Sequence, residues 1–322
     1  MKPPLTSVRI GSRGSQLALW QAEWVKAGLA NRYPGLEIAI EIVKTTGDRI
    51  LDSPLSAIGD KGLFTKELEN ALLDRRVDLA VHSLKDVPTV LPDGLVITAV
   101  TRREDVRDVF IAHPAKLYKK FSDIPSGGTI ATGSLRRRCQ IRHLRPDLQI
   151  VDLRGNLNTR FAKLKESDWD GMILARAGVV RLGFESAIAE TLPIDAILPA
   201  VGQGALGIEI RSDRTDLARL LAPLASEPAT RAVAAERAFL ALLEGGCQVP
   251  IGAYARFEEN RLIMDGLIGS LDGRRIVRGR THGNPDEPEP LARGLAETLL
   301  RSGGREILDE IRAADAARQT TP

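Results

Sequence analysis

The chain has only two cysteines, Cys139 and Cys247, in 322 residues. They lie far apart in unlike sequence, so a disulfide framework is not expected, and a reducing, cytoplasmic setting is. Histidine is also scarce: the four present show no metal-ligand spacing, and with no CxxC or HExxH pattern no metal is expected. Aromatic residues make up 4% of the chain, whereas a nucleic-acid surface interleaves its cations with stacking aromatics, so no nucleic-acid partner is expected. Charge of one sign is not in excess either. Against 42 acidic residues stand 45 basic ones, a net +3 that is too small to argue for a polyanion partner. No uncharged run is long enough to span a bilayer, and MetLysProProLeuThrSerValArgIle lacks the apolar stretch of a signal peptide, so no membrane association is expected.

What is present is alternating α/β grammar. The length suggests two or three domains. Runs at 8–10 and 38–43 read as strands around a helix with Leu17, Trp20, Trp24, Val25 and Leu29 at helical spacing. A helix at about 65–76 follows, then a buried strand ending at Lys85 and Asp86, and parallel α/β is the expected class. The pattern restarts after residue 105 with strands at 109–112, 129–131, 149–153 and 171–174. Residues 198–210 form a Pro- and Gly-rich crossing and one more strand, which returns to the first unit. From about 225 a long helix through Val233, Phe239, Leu240 and Leu243 precedes strands at 251–257, 261–268 and 274–281, with Glu259-Asn260 and Asp272-Gly273 as hairpin turns. The expected units are 1–104 with 204–222, then 105–203, then an α+β unit at 223–322.

Several residues are placed for chemistry. Cys247 lies in GluGlyGlyCysGlnValProIleGly, where flanking glycines and Pro250 imply a tight accessible loop, so it reads as an attachment point, whereas Cys139 reads as packing. Asp86, beside Lys85, sits at the C-terminal end of a predicted strand, where open α/β sheets place their ligand crevices. A turn aspartate before Val87-Pro88 is the plain alternative. ThrGlySerLeuArgArgArg, 132–138, offers Ser134 as an N-cap, an inward face of Leu135, Cys139 and Leu144, and guanidiniums for an anion site; a solvated basic helix is the alternative. ArgGlyAsnLeuAsnThrArg, 154–160, repeats that logic, with Arg154 ending a strand and Arg160 beginning a helix. GlySerArgGlySerGln places Arg13 and Ser15 at a third strand-to-helix turn. Residues 47–62, with Asp48 and Lys61, lack periodicity and read as a mobile loop.

These segments converge on one family. ArgIleGlySerArgGlySerGlnLeuAlaLeuTrpGlnAla, AspLysGlyLeuPheThrLysGluLeuGlu, ValHisSerLeuLysAspValPro, GlySerLeuArgArg, LeuArgGlyAsn, LeuProAlaValGlyGlnGlyAla and GluGlyGlyCysGlnValProIleGly, in that order, closely resemble the hydroxymethylbilane synthase (porphobilinogen deaminase) family from about residue 8 to 310. The resemblance implies two periplasmic-binding-protein-like α/β domains around a cleft plus a small α+β C-terminal domain. It implies a transferase that condenses four porphobilinogen molecules head to tail, releases ammonia, and yields the linear tetrapyrrole hydroxymethylbilane. A dipyrromethane cofactor would be joined by a thioether to Cys247, and Asp86 would be the catalytic carboxylate. Lys85, Ser83, Thr132, Ser134, Arg136, Arg137, Arg154, Asn156 and Arg160 would bind the cofactor. Arg13, Ser15, Gln21, Arg154, Arg160 and Arg181 would bind substrate. Arg138 and Arg176 fall outside the matched motifs, and Gly133 stands where some members carry serine. A monomer is expected. Two other classes share some of these features: a two-lobed anion-binding or ligand-sensing module without turnover, and a basic nucleic-acid-binding protein.

Overall fold

The computed structural model describes residues 5–49, 62–243 and 249–319. Its strands are β1 (Ser7–Ser12), β2 (Glu37–Ile42), β3 (Leu79–Ser83), β4 (Leu95–Val100), β5 (Asp108–Ala112), β6 (Thr129–Ala131), β7 (Gln149–Val151), β8 (Gly171–Ala175), β9 (Glu190–Thr191), β10 (Leu206–Arg211), β11 (Ile251–Glu258), β12 (Arg261–Gly269) and β13 (Ile276–Gly283). They form sheets of order β2-β1-β3-β10-β4, β7-β6-β8-β5-β9 and β11-β12-β13. The expected α/β, α/β and α+β sequence of layers is present, and β10 does return to the first sheet.

The first two sheets are mixed, not parallel. β1 runs parallel to β2 and β3, but β10 is antiparallel to both β3 and β4. In the second sheet β6 is parallel to β7 and β8, and β5 is antiparallel to β8 and β9. The reversed strands border the two crossings between the sheets, whose direction no local βαβ pattern encodes. β4 has no counterpart in the sequence reading, and the third hairpin strand starts two residues later than expected, at Ile276.

Helix Gln16–Arg32 packs Ala18, Gln21, Ala22, Val25 and Leu29 inward, three and four residues apart, onto Val8, Ile10, Leu79 and Val81. β3 is central and buried on both faces, which is why its sequence is LeuAlaValHisSer without alternation. The third sheet is covered by helices Glu227–Leu242 and Pro288–Leu299, which pack Phe239, Ala292, Leu295 and Leu299 against Met264 and Ile268.

Two chain crossings, 101–107 and 199–205, join the first sheets and are zipped to each other. Thr101 N donates to Leu206 O at 3.0 Å and Glu104 N to Gly204 O at 3.1 Å. Gly204 has φ +91, and a Cβ there would lie 2.5 Å from Glu104 O, so only glycine permits this approach. Glu236, fully buried on helix Glu227–Leu242, fastens the third sheet to the pair. Its carboxylate accepts from the Arg103 guanidinium, from Gly202 N at 2.7 Å and from Ala255 N at 2.8 Å. Arg103 Nη2 also donates to Gln203 O at 2.8 Å. One carboxylate therefore ties three parts of the chain.

Glu236→Gln leaves an amide with one acceptor oxygen facing these donors and a largely buried guanidinium, Arg103, without its counter-charge. The expected loss is about 3–5 kcal/mol, read as a lowered urea midpoint. Arg231→Ala, on the same helix but in exposed pairs with Glu227 and Asp286, should cost about 0–1 kcal/mol. Equal midpoints for the two variants would show that Glu236 does not bind the crossings together.

Candidate active site

β3 ends at Ser83, and Lys85 and Asp86 follow in a 3-10 turn, Leu84–Asp86, not in the strand as expected. Leu84 is buried against Gly207, where a Cβ would come 2.7 Å from Leu84 Cδ1, and against Gly202, whose φ of +70 favours glycine, while its neighbours Lys85 and Asp86 are less buried. Asp86 is exposed and Lys85 half-buried. Burial pushes the Lys85 ammonium down to about 8; Asp86 beside it opposes the fall, and Arg137 and Arg136 add to it.

A pocket opens beside this turn, lined by Arg13, Ser15, Leu17, Ala18, Gln21, Phe64, Thr65, Val81, His82, Ser83 and Asp86. The local sequence explains its shape. Ser15 Oγ accepts from Ala18 N at 3.3 Å and starts helix Gln16–Arg32. Gln21, one turn further along that helix, donates from Nε2 to Ser83 Oγ at 2.7 Å. Arg13 lies with its guanidinium 4.2 Å from the Phe64 ring centroid. Asp86 is the one carboxylate among the described lining residues.

The second sheet contributes the cations. Ser134 caps helix Leu135–Leu144 by accepting from Arg137 N at 3.5 Å, and Thr132 Oγ1 accepts from Ser134 N at 3.3 Å. The helix is not solvated. Arg136 and Arg137 are both buried, and each donates to one oxygen of Asp108 at 2.8 Å. Arg136 also reaches Leu198 O at 2.6 Å, and Arg137 reaches Ile173 O at 3.1 Å. Gln203 Nε2, from the return crossing, adds a 2.9 Å bond to Asp108. Burial works against the Asp108 charge, but the two guanidiniums and these hydrogen bonds outweigh it and hold the carboxyl well below its usual range. Leu144, expected on the inward face, is 45% exposed; Cys139, Gln140 and Ile141 occupy that face with the arginines.

β7 ends at Val151, so Arg154 stands three residues past the strand in the turn before helix Leu157–Glu166, and Arg160 lies in that helix's first turn. Asn156 is its cap, accepting from Thr159 N at 3.0 Å. Arg160 Nε donates to Gly155 O at 2.9 Å. Arg160 is lowered to about 10, chiefly by burial and then by the Arg137 and Arg154 charges, with Asp86 opposing the fall. Asp86 on the first sheet and the arginines on the second thus share one electrostatic cluster. Between helices Gln16–Arg32 and Leu157–Glu166, Asn158 Nδ2 donates to Gln16 Oε1 at 2.6 Å. Arg181 donates to Gly204 O at 2.7 Å and stacks 5.5 Å from the Trp20 ring, so it braces the crossing at the cleft's base.

Arg138 turns away to pair with Asp152, and Arg176 pairs with Asp105 at 3.3 Å and Glu185 at 2.7 Å, so both hold surface structure. Gly133 also has a reason: a Cβ would come 2.6 Å from Leu153 O. Cys139 is buried, and its thiol is pushed up to about 12, mainly by burial, with Asp272 adding to the shift. Cys247, Lys61, the Asp48 side chain and most of the expected mobile loop lie outside the described residues. Among the described residues no cluster of ligand-type side chains could hold a metal ion, and no helix is long and apolar enough to cross a membrane. Sequence reasoning missed Asp108, Gln203, Phe64 and the buried His82–Glu209 pair, whose Nε2 and Oε2 are 2.9 Å apart.

Comparison with known proteins decides the family. The family model described as porphobilinogen deaminase, dipyromethane cofactor binding domain, matches residues 8–219, and that for the porphobilinogen deaminase C-terminal domain matches 230–301. The porphobilinogen deaminase of Carboxydothermus hydrogenoformans is 54% identical over 305 residues, covering 95% of this chain and 97% of that one. The corresponding protein of Desulfitobacterium hafniense is 52% identical over 306 residues, covering 95% and 98%. That of Geotalea uraniireducens is 49% identical over 316 residues, covering 98% of each. The chain belongs to the porphobilinogen deaminase family. It condenses porphobilinogen head to tail into hydroxymethylbilane in tetrapyrrole biosynthesis and uses a dipyrromethane cofactor. A binding module without turnover is not favoured. Among solved structures, the periplasmic VFT2 domain of Bordetella pertussis BvgS overlays on 68% of this chain and 85% of that chain at 15% identity, with a TM-score of 0.40.

The cleft suits a pyrrole chain that bears carboxylates. Arg136 Nε, Arg137 Nε and Arg154 Nη2 are buried without partners among the described residues, and such donors are costly unless a ligand satisfies them. Ser134 and Thr132 use their oxygens as acceptors and keep hydroxyl protons to donate. The residues present therefore fit the cofactor.

The depressed Lys85 value is directly measurable. In the chain freed of its cofactor, amine acylation at Lys85, followed by peptide mass mapping across pH, should have its midpoint near pH 8, whereas exposed lysines titrate near about 10.4. Asp86→Asn should move that midpoint lower, since it removes the neighbouring negative charge that favours the ammonium. A Lys85 midpoint among the surface lysines would show that the turn is not withdrawn from water.

Proposed function

We propose that Asp86 is the catalytic carboxylate of this transferase. What carries the proposal is its position: Asp86 stands at the pocket's edge, beside Lys85, in the field of Arg160. Loss of ammonia from the aminomethyl carbon takes the C–N electron pair and leaves positive charge shared with the pyrrole nitrogen of the substrate. A carboxylate accepting a hydrogen bond from that N–H stabilises the charge. After the new carbon–carbon bond forms, the same carboxylate is the base that takes the α-proton and restores the aromatic ring.

When bound, the dipyrromethane supplies a pyrrole end with a free α-carbon on which chain growth starts. Cys247 carries it through a thioether, and Arg136, Arg137, Arg154 and Arg160, with Lys85, Ser83, Thr132, Ser134 and Asn156, hold its acetates and propionates. Arg13, Ser15, Gln21, Arg154, Arg160 and Arg181 receive substrate. Each charge-assisted hydrogen bond to a carboxylate contributes about 1.5–3 kcal/mol, so several are enough to retain a ligand that is itself heavily charged. The work is divided among residues 1–104 with 204–222, which present Asp86; 105–203, which present the arginines; and 223–322, which present Cys247. The enzyme acts as a cytoplasmic monomer.

Asp86→Asn is expected to keep the fold and the bound cofactor while lowering kcat by at least 100-fold, within the range general acid–base catalysis supplies. Steady-state assay of the purified variant checks it, and turnover within tenfold of the parent would remove Asp86 from the chemistry. The cysteines give an independent test. The native intact mass should exceed the sequence mass by one dipyrromethane unit, located on the Cys247 peptide, because an accessible thiolate is the better nucleophile and the Cys139 thiol is both buried and pushed up to about 12. Cys247→Ala should lack the adduct and form no tetrapyrrole; Cys139→Ala should keep both. An adduct on Cys139 would reverse the assignment.

A further inference from the structure

The turn that carries Asp86 is gripped from outside its own sheet. Arg237, on helix Glu227–Leu242, donates from Nη1 to Val87 O at 3.1 Å and from Nη2 to Pro88 O at 2.6 Å and Thr89 O at 3.2 Å. One guanidinium thus takes three successive carbonyls directly after Asp86. Among the described residues it has no carboxylate at ion-pair distance; burial lowers its proton affinity, and the field of Glu209 opposes that. Its planar fork lets one side chain hold several carbonyls of a loop at once. The segment it holds is already stiff. Val87 is extended at φ −86 and ψ 125, as a residue before proline must be, and Pro88 fixes its own φ. With Leu84 sunk at one end and carbonyls 87–89 tied at the other, Lys85 and Asp86 are held between two anchors. The helix that supplies the second anchor ends at Leu242, a few residues before Cys247 in sequence.

We infer that Arg237 is a positioning residue for the reaction: it fixes Asp86 by tying the turn that carries it to helix Glu227–Leu242. The inference rests on Asp86 being the catalytic carboxylate.

The test uses the full chain purified with its cofactor, as Arg237→Met and Arg237→Lys, with Arg231→Met as a control on the exposed side of the same helix. Three quantities are read: intact mass, kcat and KM for porphobilinogen, and backbone hydrogen exchange over residues 79–90. Arg237→Met should keep the adduct and a KM within threefold of the parent, lower kcat at least tenfold, and speed exchange at 84–90 at least tenfold with 79–83 unchanged. Arg237→Lys, which keeps a cationic donor, should regain at least threefold of the lost kcat. The control should match the parent. A kcat for Arg237→Met within threefold of the parent, loss of the adduct, or exchange that rises equally along β3 would overturn the inference, the last by showing a general structural role. Retained turnover in Asp86→Asn would instead overturn the reading beneath it, and the two failures are distinguishable because exchange at 84–90 reports on the grip of Arg237 whatever Asp86 does.

Discussion

Asp108 keeps two guanidiniums side by side that would otherwise drive each other apart. At an effective dielectric of about 20, like charges about 4 Å apart repel by about 4 kcal/mol, and a carboxylate that gives one oxygen to each cation offsets that repulsion while fixing both planes. Asp108 opens β5 and also accepts from Gln203, which sits in the return crossing and donates again to Val106 O at 2.7 Å. The cation pair, the second sheet and the link to the first sheet are therefore one buried network. Such a network does not by itself favour folding over an apolar core of equal volume. Its value is orientation: it spends one face of Arg136 and Arg137 on structure and leaves their Nε groups for something else.

The distribution of charge then follows function. On the second sheet Arg136, Arg137, Arg154 and Arg160 outnumber the Asp108 carboxylate, and burial pushes the proton affinity of Arg136, Arg154 and Arg160 down. On the first sheet Asp86 faces this excess, with Lys85 withdrawn from water beside it. A cleft with unbalanced cations on one wall and a single carboxylate on the other is poorly suited to a neutral ligand. It is well suited to pyrroles that carry carboxylates on their rim and develop positive charge at their ring nitrogen, because the two walls then complement different parts of the same molecule.

Local signals in the sequence were sufficient for the three strand-to-helix turns. Ser134 caps its helix as expected, and Ser15 and Asn156, placed at the other two turns, do the same for theirs. The same locality explains the misreadings. The partner of Arg136 and Arg137 is Asp108, 28 and 29 residues away on another strand, so the triplet of arginines by itself leaves a surface helix open as the alternative to an anion site. The mixed direction of both sheets depends on crossings that bring β5 and β10 in from far along the chain. Leu144 reads as core from its hydrophobicity, yet the inward face of its helix is taken by two charged side chains with a buried counter-ion. Gly133 reads as a lost hydroxyl until the Leu153 carbonyl appears opposite it. Motif order along the chain was more informative than any of these single positions, since it holds residues together that no helix or strand period relates.

The sign of the Lys85 shift shows how the two walls are coupled. Its ammonium is disfavoured first by burial and then by Arg137 and Arg136, and favoured by Asp86 and Asp108. Below about 8 the folded chain carries that charge at a cost; between there and about 10.4 the unfolded chain binds more protons, so this group's contribution to stability rises with pH across that interval. Ligand carboxylates on Arg136 and Arg137 would cancel the very fields that disfavour the Lys85 charge. Binding on the second sheet would thereby favour a cation on the first, next to Asp86, through space and without any movement of the chain. The turn that carries Lys85 and Asp86 would then sense electrostatically whether the arginines are occupied, with Asp108 fixing the cations on one wall and the Arg237 contacts fixing the turn on the other.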